Sequence, residues 1–447
     1  MGMLIQIAAR NLVKARLRTL FLGSALTLVT ALLILLLALS QGVTDTMIRS
    51  ATTLASGHVN VAGWFKAKVG DSAPLVTQRE KIRKIVEENT PGLDFVVDRG
   101  RGWGRVISDT SSLNAGLTGI DIDTEARLTE TLQLAEESEY VEGGSAELHG
   151  KLEDMARPDG MLLFAAQAKR LEVRVGDVVT VTVELMSGAR NTAEFTVVAI
   201  AKDLGMMSNW SVFVNSAGIR KLYALSDDVT GALEIHLEDH TKATEVMKHL
   251  TGVFEENGYE VMDHDPQAFF MKFETVQGED WTGQKLDLTI WRDEVSYMSW
   301  LLLLIDAGAF LLMVILSLII AVGITNSMMM SVRERTSEIG TLRAIGMSRS
   351  RVLLMFLTES LLLGLGSTLL GGLLGMGLAY GLNAAAIPVT STAVRLILMS
   401  DTLHLVVTPG QLVLATLAFS IVASLAAFLP AFRASRLQPV KAIQHAS

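Results

Sequence analysis

Apolar residues in this chain collect into four long runs, with segments of soluble character between and around them. Thr19 to Thr44 carries no charge, and Met298 to about Met330 is interrupted only by Asp306. Val352 to about Ile387 holds one acid, Glu359, and Leu405 to Phe432 holds none. A helix needs about 20 apolar residues, at about 1.5 Å rise each, to cross a hydrocarbon core roughly 30 Å thick. A single run of this kind could be a buried helix of a soluble protein. Four in one chain predict four transmembrane helices, with a large insertion between the first and second.

The inserted segment changes period. His58 to Ala62 alternates as a short strand, while residues 77–89 place Ile82, Ile85 and Val86 on one helical face. Residues 93–97 and 103–107 read as two strands, and Leu117 to Ile122 as a third, followed by a polar helical stretch over 124–137. A short helix is expected at 161–170. Beyond it, Val178 to Val183 and Ala193 to Ile200 alternate around a turn at Ser187-Gly188, the pattern of a small antiparallel unit. Residues 231–237 and 259–262 flank a helix at 240–256. The expectation is an α+β domain built from both flanks, with a β-rich insert at about 110–228.

Charge sets the direction. Of the 447 residues, 50% are hydrophobic and 19% charged. Lys and Arg crowd three short segments: Arg10, Lys14, Arg16 and Arg18 before the first run, five arginines between the second and third, and Arg433, Arg436 and Lys441 after the fourth. Positive flanks stay in the cytosol, which predicts cytoplasmic termini and a cytoplasmic loop between spans two and three. The loop between spans three and four has only Arg395 and Asp401, as expected of an outer loop. The domain between spans one and two, net −17 by the same count, is then extracytoplasmic. Ala38 and Ser40 give a weak small-x-small cleavage pattern, but the first run is longer than a signal h-region and reads as an uncleaved anchor.

Absent residues and motifs narrow the chemistry. There is no cysteine, which removes disulfides and thiolate sites. No phosphate loop, H-E-x-x-H or G-x-S-x-G occurs, so no catalytic residue, cofactor site or metal site is assigned. His236 and His240 are four apart but straddle a predicted strand end and are expected at the surface. The acidic balance and lack of a basic aromatic patch argue against nucleic acid. Within the spans, Gly371 with Gly375 and Gly377 with Gly381 have G-x-x-x-G spacing, which predicts close helix packing. Asp306 is expected to be solvated near the outer end of its span, and Glu359 to pair with a loop arginine.

The loop after the second span, VRERTSEIGTLRAIG at 332–346, is expected to be one amphipathic helix. Ile339, Leu342 and Ile345 or Gly346 fall on one side, and Gly346 is placed to end it. It resembles the coupling-helix signature of FtsX-like ABC transporter permeases, the family of MacB-type and lipoprotein-releasing LolC/LolE-type subunits. The stretch before the first span, ARNLVKARLRTL at 9–20, and the closing PAFRASRLQPVKA at 430–442 are similar to the family's entry and end motifs. Residues 171–200 resemble its outer β unit.

The resemblance implies the following organisation: 1–44 entry helix and first span; 45–297 extracytoplasmic domain; 298–331 second span and stalk; 332–351 coupling helix; 352–387 third span; 388–404 outer loop; 405–432 fourth span; 433–447 cytoplasmic tail. The stalk reading comes from length, because about 33 residues make a helix of roughly 50 Å. It further implies a non-catalytic permease subunit in a bacterial inner membrane, with ATP and Mg held by a separate cytosolic ABC ATPase dimer. Glu334, Arg335, Glu338, Ile339, Leu342, Arg343 and Gly346 would meet that ATPase. A second permease copy or a homologous permease, a periplasmic adaptor and membrane lipid are the other implied partners. The expected activity is extraction or export of a lipid-linked or hydrophobic substrate. Activation of an extracytoplasmic hydrolase and MacB-like efflux are the alternatives.

Overall fold

The structure, a computed structural model, describes residues 2–204, 208, 210–389 and 402–437. It divides into two compact units, one holding the apolar helices and one holding residues 46–300. Arg395, Asp401 and Lys441, together with the end of the closing motif, lie outside the described residues.

In the first unit, four helices are long and apolar enough to cross a membrane: Thr19–Leu54, Leu303–Glu334, Arg349–Ala384 and Pro409–Ser435. Their ends differ from the sequence expectation where local chemistry sets them. The first helix does not stop at Thr44 but runs Arg16–Ala51, because Asp45 and Thr46 are polar without being helix breakers. A π-helical turn, Thr52–Ser56, follows, and Gly57 at φ 61° ends it. The third ends at Ala384 rather than Ile387. Ala386 takes a left-handed φ of 43°, and Pro388 disfavours helix at the residue before it. The fourth starts at Pro409 rather than Leu405, since Thr408 caps it through Gln411 N–H and Pro409 fills the first helical position.

Side-chain oxygens and nitrogens tie these helices together. Thr27 Oγ1 donates to Ser367 O (3.0 Å), Thr325 Oγ1 to Ala426 O (3.0 Å) and Gln411 Nε2 to Leu37 O (3.3 Å). Gly371 and Gly375 sit where the first and third spans touch. A Cβ on Gly371 would lie 2.4 Å from Thr27 O, and one on Gly375 2.8 Å from Ala31 O. Gly377 and Gly381 depart from the packing expectation, since nothing described lies within 4 Å of a Cβ added there. Asp306 is exposed but accepts a hydrogen bond from Ser40 Oγ at 2.9 Å.

Among the described residues, the second unit contains eleven strands. They are β1 Val59–Lys66, β2 Val76–Thr77, β3 Leu93–Ile107, β4 Ser112–Ile120, β5 Gly160–Phe164 and β6 Val178–Glu184. The rest are β7 Arg190–Ala201, β8 Ser211–Asn215, β9 Val229–Thr230, β10 Ala232–Leu237 and β11 Gly283–Ile290. Nine form one sheet in the order β11-β1-β10-β3-β4-β8-β5-β7-β6, and β3 also pairs with β6. That last pairing closes β3-β4-β8-β5-β7-β6 into a ring, a small barrel filled by Val106, Leu117, Leu163, Val181, Phe195 and Val214. The flank β11-β1-β10-β3 packs Val61, Leu233, Ile235 and Leu288 against the helices Arg79–Asn89 and Ala243–Glu256.

Strand β3 is the shared member, one continuous strand where two were expected. Its first half pairs with β10 and its second with β4. Gly100 and Gly102 allow this: a Cβ at either would meet Ile219 at 2.7 Å or the Tyr223 ring at 2.5 Å. The helix expected at 161–170 is present only from Ala165 to Leu171, and residues 160–164 before it are strand, all five buried. An apolar run covered on both faces has no period to read. The stretch 124–137 holds a short helix, Ala126–Thr131, and non-helical residues rather than one long helix. Residues 259–262 contribute only a bridge from Val261 to Leu286 of β11.

His236 is buried, not at the surface. It stacks on Phe95 at 4.3 Å, with the His58 ring 5.5 Å away. Arg99 is also buried, held by Glu125 at 2.8 Å and near Glu234 at 3.4 Å. It donates to Thr53 O (2.7 Å) in the π-turn.

Candidate functional site

The loop between the second and third spans carries the most specific residues, and it folds as two pieces rather than one helix. The second span continues through Glu334, Arg335 turns out of helical geometry at φ −108°, and a new helix runs Thr336–Ala344. The backbone stays hydrogen-bonded across the turn, from Arg335 N–H to Ser331 O (3.1 Å) and from Ile339 N–H to Arg335 O (3.0 Å). The short helix closes with Gly346 at φ 105°. Gly346 N–H donates to Arg343 O (3.2 Å) and Met347 N–H to Leu342 O (3.0 Å), a left-handed cap that a side chain would strain. Ser348 then precedes the third span, so little slack separates the two helices.

Arg335 is the hub. Its Nη1 lies 3.2 Å from Glu359 Oε2, its Nε 3.1 Å from Glu338 Oε2, and its guanidinium packs 5.8 Å from the Phe356 ring. The Glu359 side chain is only 3% exposed, whereas that of Glu338 is 63% exposed. One arginine thus joins a carboxylate buried in the third span to one on the open face of the loop helix. The expected pairing of Glu359 with a loop arginine is present in this contact. Beside Glu359 lies a small cavity bordered by Leu12, Thr19, Ser327, Ser360 and Leu363.

The two sides of the loop helix divide the expected docking residues. Ile339 is 1% exposed and belongs to the core formed with Met355, Phe356 and Ala431. It therefore cannot fill a partner's groove, because its own chain already covers it. Leu342 and Arg343 are half-buried. Glu334, Glu338 and Gly346 are exposed, and so is Ile345, at 80%. Ile345 is the apolar residue the docking assignment missed. The signal for it was its place on the same helical side as Leu342. This surface offers an acid, two aliphatic side chains and a partly shielded arginine. Among the described residues, no group of three or more His, Asp or Glu is placed to hold a metal ion.

Comparison with known proteins gives the segment its relatives. The FtsX-like permease C-terminal family matches residues 310–439. The macrolide export ATP-binding/permease protein MacB of Agrobacterium fabrum is 34% identical over 130 residues, 29% of this chain and 18% of that protein. The uncharacterized ABC transporter permease YknZ of Bacillus subtilis is 34% identical over 125 residues, 28% of each. The chain thus spans less than a third of either relative. Among solved structures, the periplasmic region of MacB from Actinobacillus actinomycetemcomitans covers 54% of this chain and 91% of its own, at 13% identity and a TM-score of 0.29.

Proposed function

Taking the chain as an FtsX-like ABC permease of the MacB type, we propose that it is the membrane subunit of a complex powered by a separate cytosolic ABC ATPase dimer. Its loop helix receives the ATPase stroke, its termini lie in the cytosol, and its large domain works on the far side of a bacterial inner membrane. The observation that carries this reading is the loop-helix face formed by exposed Glu338 and Ile345 with half-buried Leu342, fastened to the third span through Arg335 and Glu359. A push on that face would load the second and third spans directly, because the Gly346 cap leaves no flexible linker to absorb it. A second copy, or a homologous permease, would complete the transport unit.

The substrate is proposed to be hydrophobic or lipid-linked, extracted or exported at the far face as in lipoprotein release. MacB-like efflux is the second reading, favoured by the MacB relatives over the permease segment. The test of the core claim is ATPase stimulation in the co-purified complex. Glu338→Arg, Leu342→Asp and Ile345→Asp should each abolish most of the stimulation while leaving the chain's melting temperature near that of the parent. Full stimulation in all three variants would remove the loop from the coupling path.

A further inference from the structure

One face of the flank sheet is apolar and the other is charged. Val61, Leu233 and Ile235 pack against the two helices. Asn60 and Glu234 alternate with them and so point the opposite way. There, five charged side chains are shut away together. Arg99 and Arg101 come from β3, Glu234 from β10, Glu125 from just before the helix Ala126–Thr131, and Glu294 from just after β11. Arg101 is 8% exposed and the other four no more than 5%. Asn60, directly across the ladder from Glu234, and Thr289 of β11 are fully buried with them. Two guanidiniums meet three carboxylates, so the fully ionised cluster carries one surplus negative charge. His236, two residues along the strand from Glu234, is kept neutral by burial and offsets none of it.

Hydrogen bonds are shared unevenly among the three acids. Glu125 takes two arms of Arg99, Nε and Nη2, at 2.8 Å each. Glu294 Oε1 accepts from Thr289 Oγ1 (2.8 Å) and Asn60 Nδ2 (3.4 Å), and its Oε2 from Phe269 N–H (3.4 Å). Arg101 Nη2 donates to Asn60 Oδ1 (3.1 Å). Glu234 is left short. Its Oε2 lies 3.4 Å from Arg99 Nη1, and neither atom has a hydrogen bond to any described residue. A carboxylate buried this deeply needs well-aligned donors to stay charged, because the hydration it loses is worth more than one misaligned contact. A protonated carboxyl avoids that cost.

We propose that Glu234 is a proton-binding site of the large domain, the proton cancelling the surplus charge of the cluster. Burial, against the pull of Arg99 and Arg101 and with Glu125 and Glu294 adding repulsion, lifts its carboxyl to about 7. In the unfolded chain the same group titrates near the ordinary 4.5. Between those two values the folded chain binds more protons than the unfolded one. The contribution of Glu234 to stability therefore falls as the pH rises through that window and levels off above it, opposite in sign to that of the buried histidines. The site depends neither on what the complex transports nor on its ATPase.

Infrared spectra of the full chain in detergent, taken from about pH 5.5 to about pH 8.5, read the proton directly, because ordinary Asp and Glu are ionised throughout that range. A protonated-carboxyl stretch should titrate away with a midpoint near 7. It should be missing from Glu234→Gln and persist in Glu238→Gln, which alters an exposed acid just beyond β10. Glu234→Gln imitates the protonated form, so its melting temperature should gain on that of the parent as the pH rises from about 5 to about 7.5. A parent with no such band would overturn the proton site, and so would a band that survives in Glu234→Gln. Parallel melting curves for parent and variant across that range would overturn it as well.

Discussion

Arg335 holds one hand on Glu338 and the other on Glu359, and the two carboxylates differ in what they lose when it lets go. Glu338 faces water, whereas the Glu359 carboxylate is buried, so a single substitution costs more on the buried side. Glu359→Gln should lower the stability of the helical unit by about 2 kcal/mol and reduce ATPase stimulation, while Glu338→Gln should leave the melting temperature nearly unchanged. Thermal unfolding in detergent separates the two. In the large domain, burial first, with Arg127 and His240 adding repulsion, takes the His58 imidazole down to about 4. Burial, with His58, Arg99 and Arg127, takes His236 to about 2. Unfolded histidines take up a proton near the ordinary value of 6.5, so between that value and about 4 the unfolded chain binds more protons than the folded one. The stability from these neutral rings is therefore complete above about pH 6.5 and drains away as the pH falls. His236→Phe should lose less melting temperature than the parent between about pH 7.5 and about pH 5, and an equal or larger loss would count against this assignment. The residue-level site was partly legible. Charge and spacing picked out Arg335, Glu338 and Glu359, but nine residues of helix cannot reveal which side the chain will use for itself, and so Ile339 was placed outward.

Elements packed by glycine obey a rule that spacing alone does not contain. Both G-x-x-x-G pairs in the third span have the right interval, yet among the described residues only the pair Gly371 and Gly375 meets another helix, because meeting requires a partner and the partner is set by tertiary packing. Gly371→Ala should drive the first and third spans apart, at a cost of about 1–3 kcal/mol. Gly377→Ala, with open space around it and a better helix former in place, should be neutral or slightly stabilising. Melting temperatures of the two variants in detergent test the contrast. Helices with one wet face were readable, as at Arg79–Asn89 with Ile82, Ile85 and Val86 buried. The fully covered strand β5 was not, since it lacks the alternation that distinguishes strand from helix.

At the scale of the whole molecule, composition carried most of the information. Four apolar runs and one acidic insertion were plain from residue type, because a bilayer selects for transfer energy summed over about 20 residues and forgives local detail. The barrel was hidden because its closure depends on β3 finding β6 some 75 residues away, and no local pattern records such a pairing. Strand β3 also enters the ladders of both the barrel and the flank, fifteen residues of unbroken backbone from Leu93 to Ile107. Two lobes strung on one ribbon cannot swivel past each other without tearing rungs from a ladder. Sharing one strand, the two lobes are held by both ladders at once, like two pages bound along a common spine.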